Sequence, residues 1–383
     1  MQLRLTNLLI AFTATLALFA TSCKKEFSKD EPFPDVFTPT VFVTSQNQFV
    51  YAMDPETGKK KWEYHAGANV QASPVVMGDF VYIAAEDGKI HKLDAKTGKW
   101  IRNITVPGQI LATPYAEPKG KDGSDYLYIG CGDNNMYCYD VTGDSVEWTF
   151  VTGNTIYSSP TISDDMVIFG SYDGKTYSLN KNDGVKIWEF DAGTGAAFYS
   201  SPTVADVFVY IGCTNGKLYC LNIADGSLRW DYTTGGPIFS SPISYGGNVI
   251  FGSHDFKLYC IDTATAIERW IVPTKDRISS SPYAYNQLIY FGSYDYKMYA
   301  VHIIDGLLKW EYETGAIIKS SPMVYDDKLY FGSHDKHLYC LNPANGDSLW
   351  TQNVNGLIES SPVVDKLDGK PTYTSSISGN SPN

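Results

Sequence analysis

One period organises this chain. A Ser-Pro or Thr-Pro pair recurs with its proline at 74, 114, 160, 202, 242, 282, 322 and 362, in steps of 40, 46, 42 and then 40 throughout. Eight tryptophans keep the same beat, at 62, 100, 148, 188, 230, 270, 310 and 350. The one long step contains the polar stretch KGKDGS at 119–124, which reads as a longer surface hairpin. Self-similarity at this spacing means stacked units, so the two or three domains that 383 residues would otherwise suggest give way to one.

A single unit, 320–350, reads SSPMVYDDKLYFGSHDKHLYCLNPANGDSLW. Four short runs rich in aromatic and β-branched residues alternate with polar turns, the pattern of four strands. Between the second and third runs several copies carry Asp-Gly or Asn-Gly (Asp87-Gly88, Asp173-Gly174, Asn215-Gly216). Those dipeptides predict a two-residue type I′ hairpin. A lone four-stranded antiparallel meander cannot bury both faces, so the copies must stack around an axis as a β-propeller. Residues 41–62 supply a second, third and fourth strand, while SSPVVD at 360–365 supplies a first. Joining them closes the ring without a free edge. The expectation is an all-β, eight-bladed propeller over residues 39–383, its ring closed by N- and C-terminal strands.

The segments DPETGKKKW (54–62), DVTGDSVEW (140–148), NKNDGVKIW (180–188), NIADGSLRW (222–230) and NPANGDSLW (342–350) resemble the tryptophan-docking repeat of the pyrroloquinoline-quinone (PQQ) family. The resemblance covers residues 39–376 and implies an outer-strand Trp docked on the neighbouring blade. Two copies depart. Trp100 comes two residues early, with Arg102 in its expected place, and DTATAIERW (262–270) lacks the glycine, so weaker ring-locking is expected at both.

The first residues are a targeting segment. Arg4 precedes an apolar run, Leu8 to Ala20, too short to span a bilayer as a mature helix. Ala20-Thr21-Ser22-Cys23 resembles a bacterial lipoprotein box, which implies a signal peptide over 1–22, a lipidated Cys23 and a tether through residue 38. The other six cysteines sit at two repeat positions where other copies carry Ser, Ala or Lys. Export permits disulfides, and Cys131–Cys138 and Cys213–Cys220 are the candidate pairs. Exchange with Ser and Ala points instead to free thiols filling small slots. Acidic residues exceed basic ones, 42 to 30, for a net charge of −12. No clustered Lys and Arg supply a nucleic-acid groove.

The repeated polar residues answer to the fold. Serines present in eight copies belong to the crowded innermost strand, and Asp133, Asp173, Asp255, Asp295 and Asp335 belong to hairpin turns. No GxSxG elbow, complete phosphate loop or HExxH appears, and there is no CxxC. The variable letters carry the functional signal. Four residues before each proline the chain stays apolar; three before, it reads Gln71, Leu111, Tyr157, Tyr199, Phe239, Ser279, Lys319 and Glu359. That position should face the channel mouth. It offers an aromatic arc of Tyr157, Tyr199 and Phe239, with Lys319, Glu359 and Arg277 elsewhere on the rim. Turns opening on the same face add Tyr172, His254, Tyr294 and His334. His254 and His334 lie two blades apart, too far to share a zinc ion, and no metal site is expected.

Three functions follow. The resemblance to PQQ enzymes implies a quinoprotein dehydrogenase holding PQQ beside calcium, but the adjacent cysteine pair of that family and any CxxCH haem motif are missing. The chain is also close to the minimum for eight blades, so no cofactor is expected. A non-catalytic envelope scaffold fits better: the architecture and export are similar to the lipoprotein propellers of the outer-membrane β-barrel assembly machinery, the BamB family. This implies a monomeric propeller anchored through lipid, at the outer membrane, with an envelope protein or complex as partner. A glycan-binding rim is the third reading.

Overall fold

The computed structural model describes residues 38–366. The expected signal peptide, Cys23 and nearly all of the expected tether lie outside the described residues. Strands fill eight four-stranded antiparallel sheets. The last complete unit runs Met323–Tyr325, Lys328–Gly332, His337–Leu341 and Ser348–Asn353. We number the blades from the first strands of the chain. Blade 1 takes its three outer strands from Thr40–Thr44, Phe49–Met53 and Lys60–His65. Its innermost strand is Val363–Asp365, which pairs antiparallel with the first (Thr40 with Asp365, Phe42 with Val363). The first and last described strands therefore complete one sheet, as the repeat count requires.

The inner strands are buried on both faces, burial alternates only along the outermost strands, and each apolar cluster straddles two blades. Leu288, Tyr290, Met298 and Trp310 of blade 7 pack with Leu329, Phe331 and Tyr339 of blade 8. Blade 8 packs in turn on Val41, Val43 and Met53 of blade 1. The apolar residue four before each proline is part of this core. Ile238, Ile278, Ile318 and Ile358 are fully buried, and each lies against a glycine at or next to the end of the second strand of the blade before it. A Cβ added to Gly252 would stand 2.2 Å from Ile278. That contact explains the glycine of every FGS.

Three further devices lock the ring. Seven tryptophans donate their indole N–H to a carbonyl in the next blade, from Trp62 to Ala95 O (3.0 Å) through Trp350 to Pro55 O (3.0 Å), the last closing the circle. In six of the docking turns the glycine serves the tryptophan of the preceding blade: a Cβ on Gly58 would meet Trp350, and one on Gly306 would meet Trp270. Neither departing copy loses its lock, contrary to expectation. In blade 2, Arg102 Nη2 donates to Val141 O at 2.6 Å, the carbonyl a tryptophan would have used, and its Nη1 pairs with Asp144. Trp100 is left half exposed. Where the glycine is missing, Ala266 adopts φ 58° and Trp230 still reaches Thr263 O at 2.9 Å.

The third device is a belt of hydroxyls. The residue just before each repeat proline donates its backbone N–H to the side-chain oxygen of its counterpart in the next blade. The belt runs Ser73, Thr113, Ser159, Ser201, Ser241, Ser281, Ser321, Ser361 and back to Ser73, at 2.9–3.1 Å. Small size is therefore only half the reason for serine here; an acceptor is the other half. The turn aspartates also act locally. Asp255, Asp295 and Asp335 each accept a bond from the Tyr hydroxyl four residues on.

The hairpin turns differ from the type I′ expectation. A type I′ turn needs positive φ at both central residues. Here Asp87 is not left-handed, and only Gly88 is (φ 81°), closing a four-residue loop in which its N–H bonds Ala85 O. Phe256, Tyr296 and Lys336 take the same fourth position at φ 72–75°. All six described cysteines are buried, free thiols. Burial pushes Cys138, Cys220, Cys260 and Cys340 up to about 12, which makes them inert fillers.

Candidate functional site

The variable letters converge. With its apolar neighbour pinned in the core, the residue three before each proline is turned to the channel, where a cavity of about 300 Å³ opens above the hydroxyl belt. Its wall includes Tyr157, Tyr199, Phe239, His254, Tyr294, Lys319 and Glu359. Tyr172, Arg277 and His334 stand behind that wall and touch it through Tyr157, Tyr294 and Glu359 respectively.

The rings form an unbroken chain around one side. Tyr172 meets Tyr157 edge-on at 5.0 Å, and Tyr157 stacks on Tyr199 at 5.3 Å. Tyr199 meets Phe239 edge-on at 5.2 Å, and Phe239 stacks on His254 at 4.4 Å. His254 then approaches Tyr294, and the Arg277 guanidinium lies 4.9 Å from the Tyr294 ring centre. Two of these contacts are face to face, Tyr157 on Tyr199 and Phe239 on His254, so part of the aromatic surface is spent within the arc.

Polar groups occupy the other side. Glu359 Oε2 accepts from Lys319 Nζ at 2.7 Å and from Gln71 Nε2 at 2.9 Å. His334 Nε2 lies 3.1 Å from Oε1 but too poorly aligned for a full hydrogen bond. Burial by itself would raise the Glu359 pKa; His334 and Lys319 beside it bring it down to about 2. Glu359 is thus a carboxylate at any ordinary pH, and its side chain is only 10% exposed. Burial, helped by Arg277, pushes His254 down to about 4, and its Nε2 is 2.8 Å from Ser279 Oγ. Neutral His254 therefore belongs to the aromatic arc. Tyr199 is so deeply set that burial raises its pKa, and its hydroxyl feels both Lys319 and Glu359 across the mouth.

Two contributors were not singled out by sequence reading, Gln71 and the belt hydroxyls that floor the cavity. Gln71 shares the register that marks Tyr157, which is the signal that finds it.

A PQQ–calcium pair does not fit these residues. Calcium takes about six to eight oxygen ligands, several of them carboxylate. The mouth has one carboxylate, already engaged, and among the described residues no group of three His, Cys, Asp or Glu could hold a metal.

The chain matches the family described as "Outer membrane protein assembly factor BamB" over residues 24–103, 116–254 and 233–380. It belongs to that family. The outer membrane protein assembly factor BamB of Yersinia pestis is 26% identical over 204 residues, 51% of this chain and 48% of that protein. The chain thus spans about half the length of this curated relative. The crystal structure of BamB from Moraxella catarrhalis superimposes with a TM-score of 0.66 at 16% identity, covering 79% of this chain and 95% of that one. A europium-containing methanol dehydrogenase gives the same TM-score at 12% identity, covering 79% and 83%. The fold alone therefore does not choose between binding and catalysis.

Proposed function

We propose that this protein is a non-catalytic envelope lipoprotein whose propeller mouth captures a partner protein during outer-membrane protein assembly. The observation that carries the reading is the convergence of the repeat's variable positions on one mouth, in a chain of the BamB family. Positions that repeat serve the ring. Those that do not are gathered where a partner would be met. Ring faces stacked on one another leave little flat surface for a sugar, which counts against the glycan reading.

The test is a photo-crosslinking amino acid placed at Phe239 in cells that make the protein. A control goes at Ile304, on an exposed outer turn of blade 7. An adduct with an outer-membrane assembly component from position 239, and not from 304, is the expected result. Adducts from 304 alone, or from neither, would refute the assignment of the mouth.

A further inference from the structure

The hydrogen-bonding inventory of the mouth is one-sided. Every hydroxyl of the belt accepts an N–H from the preceding blade, and among the described residues none of them donates to a protein acceptor. Their protons are left to be given toward the channel. The hydroxyls of Tyr157, Tyr199 and Tyr294 have no protein partner either, and all three residues line the cavity. Lys319 carries three N–H donors and uses one, on Glu359. The groups that can only accept are fewer: the Glu359 carboxylate, whose oxygens already face Lys319, Gln71 and His334, and the Gln71 amide oxygen, while the hydroxyls can turn to either role. A cavity whose spare ammonium N–H groups and hydroxyl protons outnumber its acceptor-only groups favours a ligand that brings acceptors.

We propose that the mouth is a carboxylate-binding site, in which the ligand's carboxylate sits between Lys319, the Tyr199 hydroxyl and the hydroxyl belt. The proposal rests on the mouth being a recognition site and names the chemistry recognised there. A carboxylate meets the free N–H donors of Lys319 in charge-assisted bonds, which are about twice as strong as neutral ones. Glu359 has two opposed effects. It holds Lys319 over the cavity, and it competes with any incoming carboxylate for the same ammonium group.

The test is calorimetric titration of the full-length protein with three small probes. N-acetylglycine offers a terminal carboxylate, N-acetylaspartyl-N-methylamide a side-chain carboxylate, and N-acetylglycinamide neither. One or both acids should bind saturably at one to one, with the amide at least about tenfold weaker, the worth of one charge-assisted bond. Whichever acid binds tighter identifies the source of the carboxylate. Lys319→Met and Tyr199→Phe should each weaken the acid, and Glu359→Gln should tighten it by freeing Lys319. Opposite signs from adjacent substitutions are not what simple damage to the fold produces. Equal binding of acid and amide, no binding, or weakening by Glu359→Gln would overturn the proposal. The probes involve no partner protein, so such a failure leaves the crosslinking result untouched.

Discussion

At the scale of single residues, the ring is held by side chains that can be exchanged only when chemistry permits. Arg102 replaces a tryptophan because it too presents N–H groups at the end of a long side chain, on a planar guanidinium. Ala266 is a different kind of exception. It stands at a position where six other blades carry glycine, at φ 58°, and its counterparts would bring a Cβ within 2.5–2.9 Å of a tryptophan ring. A left-handed alanine costs about 1–2 kcal/mol, of which the greater freedom of unfolded glycine returns part. Ala266→Gly should therefore stabilise the protein by about 1 kcal/mol, raising the urea midpoint without changing the slope. A lowered midpoint would show that the alanine methyl packs favourably on Trp230. Neither exception could be weighed from the sequence. A missing letter in a motif reveals that a contact is altered, while the reach of Arg102 and the dihedral of Ala266 belong to three dimensions. Tyr157, Tyr199 and Phe239 were legible as neighbours because the repeat places them in one register. That Tyr157 stacks on Tyr199 while Phe239 meets Tyr199 edge-on depends on the spacing between blades, which no single copy encodes.

At the scale of elements, each blade is fastened to the next by the hydroxyl belt inside, the glycine–isoleucine contact in the middle, and the tryptophan dock outside. The strand pattern and blade count were readable because period-2 alternation and the Ser-Pro beat are local signals. The turn type was not, because Asp-Gly suits a type I′ turn and equally a four-residue loop with glycine left-handed at its end. The belt allows a direct test. Ser241→Ala removes the acceptor of the buried Ser201 N–H without altering shape. The expected loss is about 1–3 kcal/mol, the penalty of a buried unsatisfied donor. Ser241→Thr keeps the oxygen and should recover most of it, as Thr113 already does in blade 3. A loss from alanine below about 0.5 kcal/mol in thermal or urea unfolding would mean that water replaces the hydroxyl at no cost.

At the scale of the whole molecule, the ring closes by three independent means: the pairing of Thr40–Thr44 with Val363–Asp365, Trp350 on Pro55, and Ser361 on Ser73. Circular closure makes the mouth possible. Eight equivalent positions meet around one axis, and substitution at those positions alone converts a repeat into a site. The central claim is that these positions recognise a partner while the constant ones maintain the ring. Its most direct measurement is the affinity of the full-length protein for the crosslinked assembly component, with and without Tyr157→Ala and Tyr199→Ala. The account predicts binding weakened at least about tenfold, since truncated aromatic anchors cost more than about 1 kcal/mol each, measured at a temperature below the variant's own lowered thermal midpoint. Affinity that survives the double substitution would contradict it and move recognition away from the channel mouth.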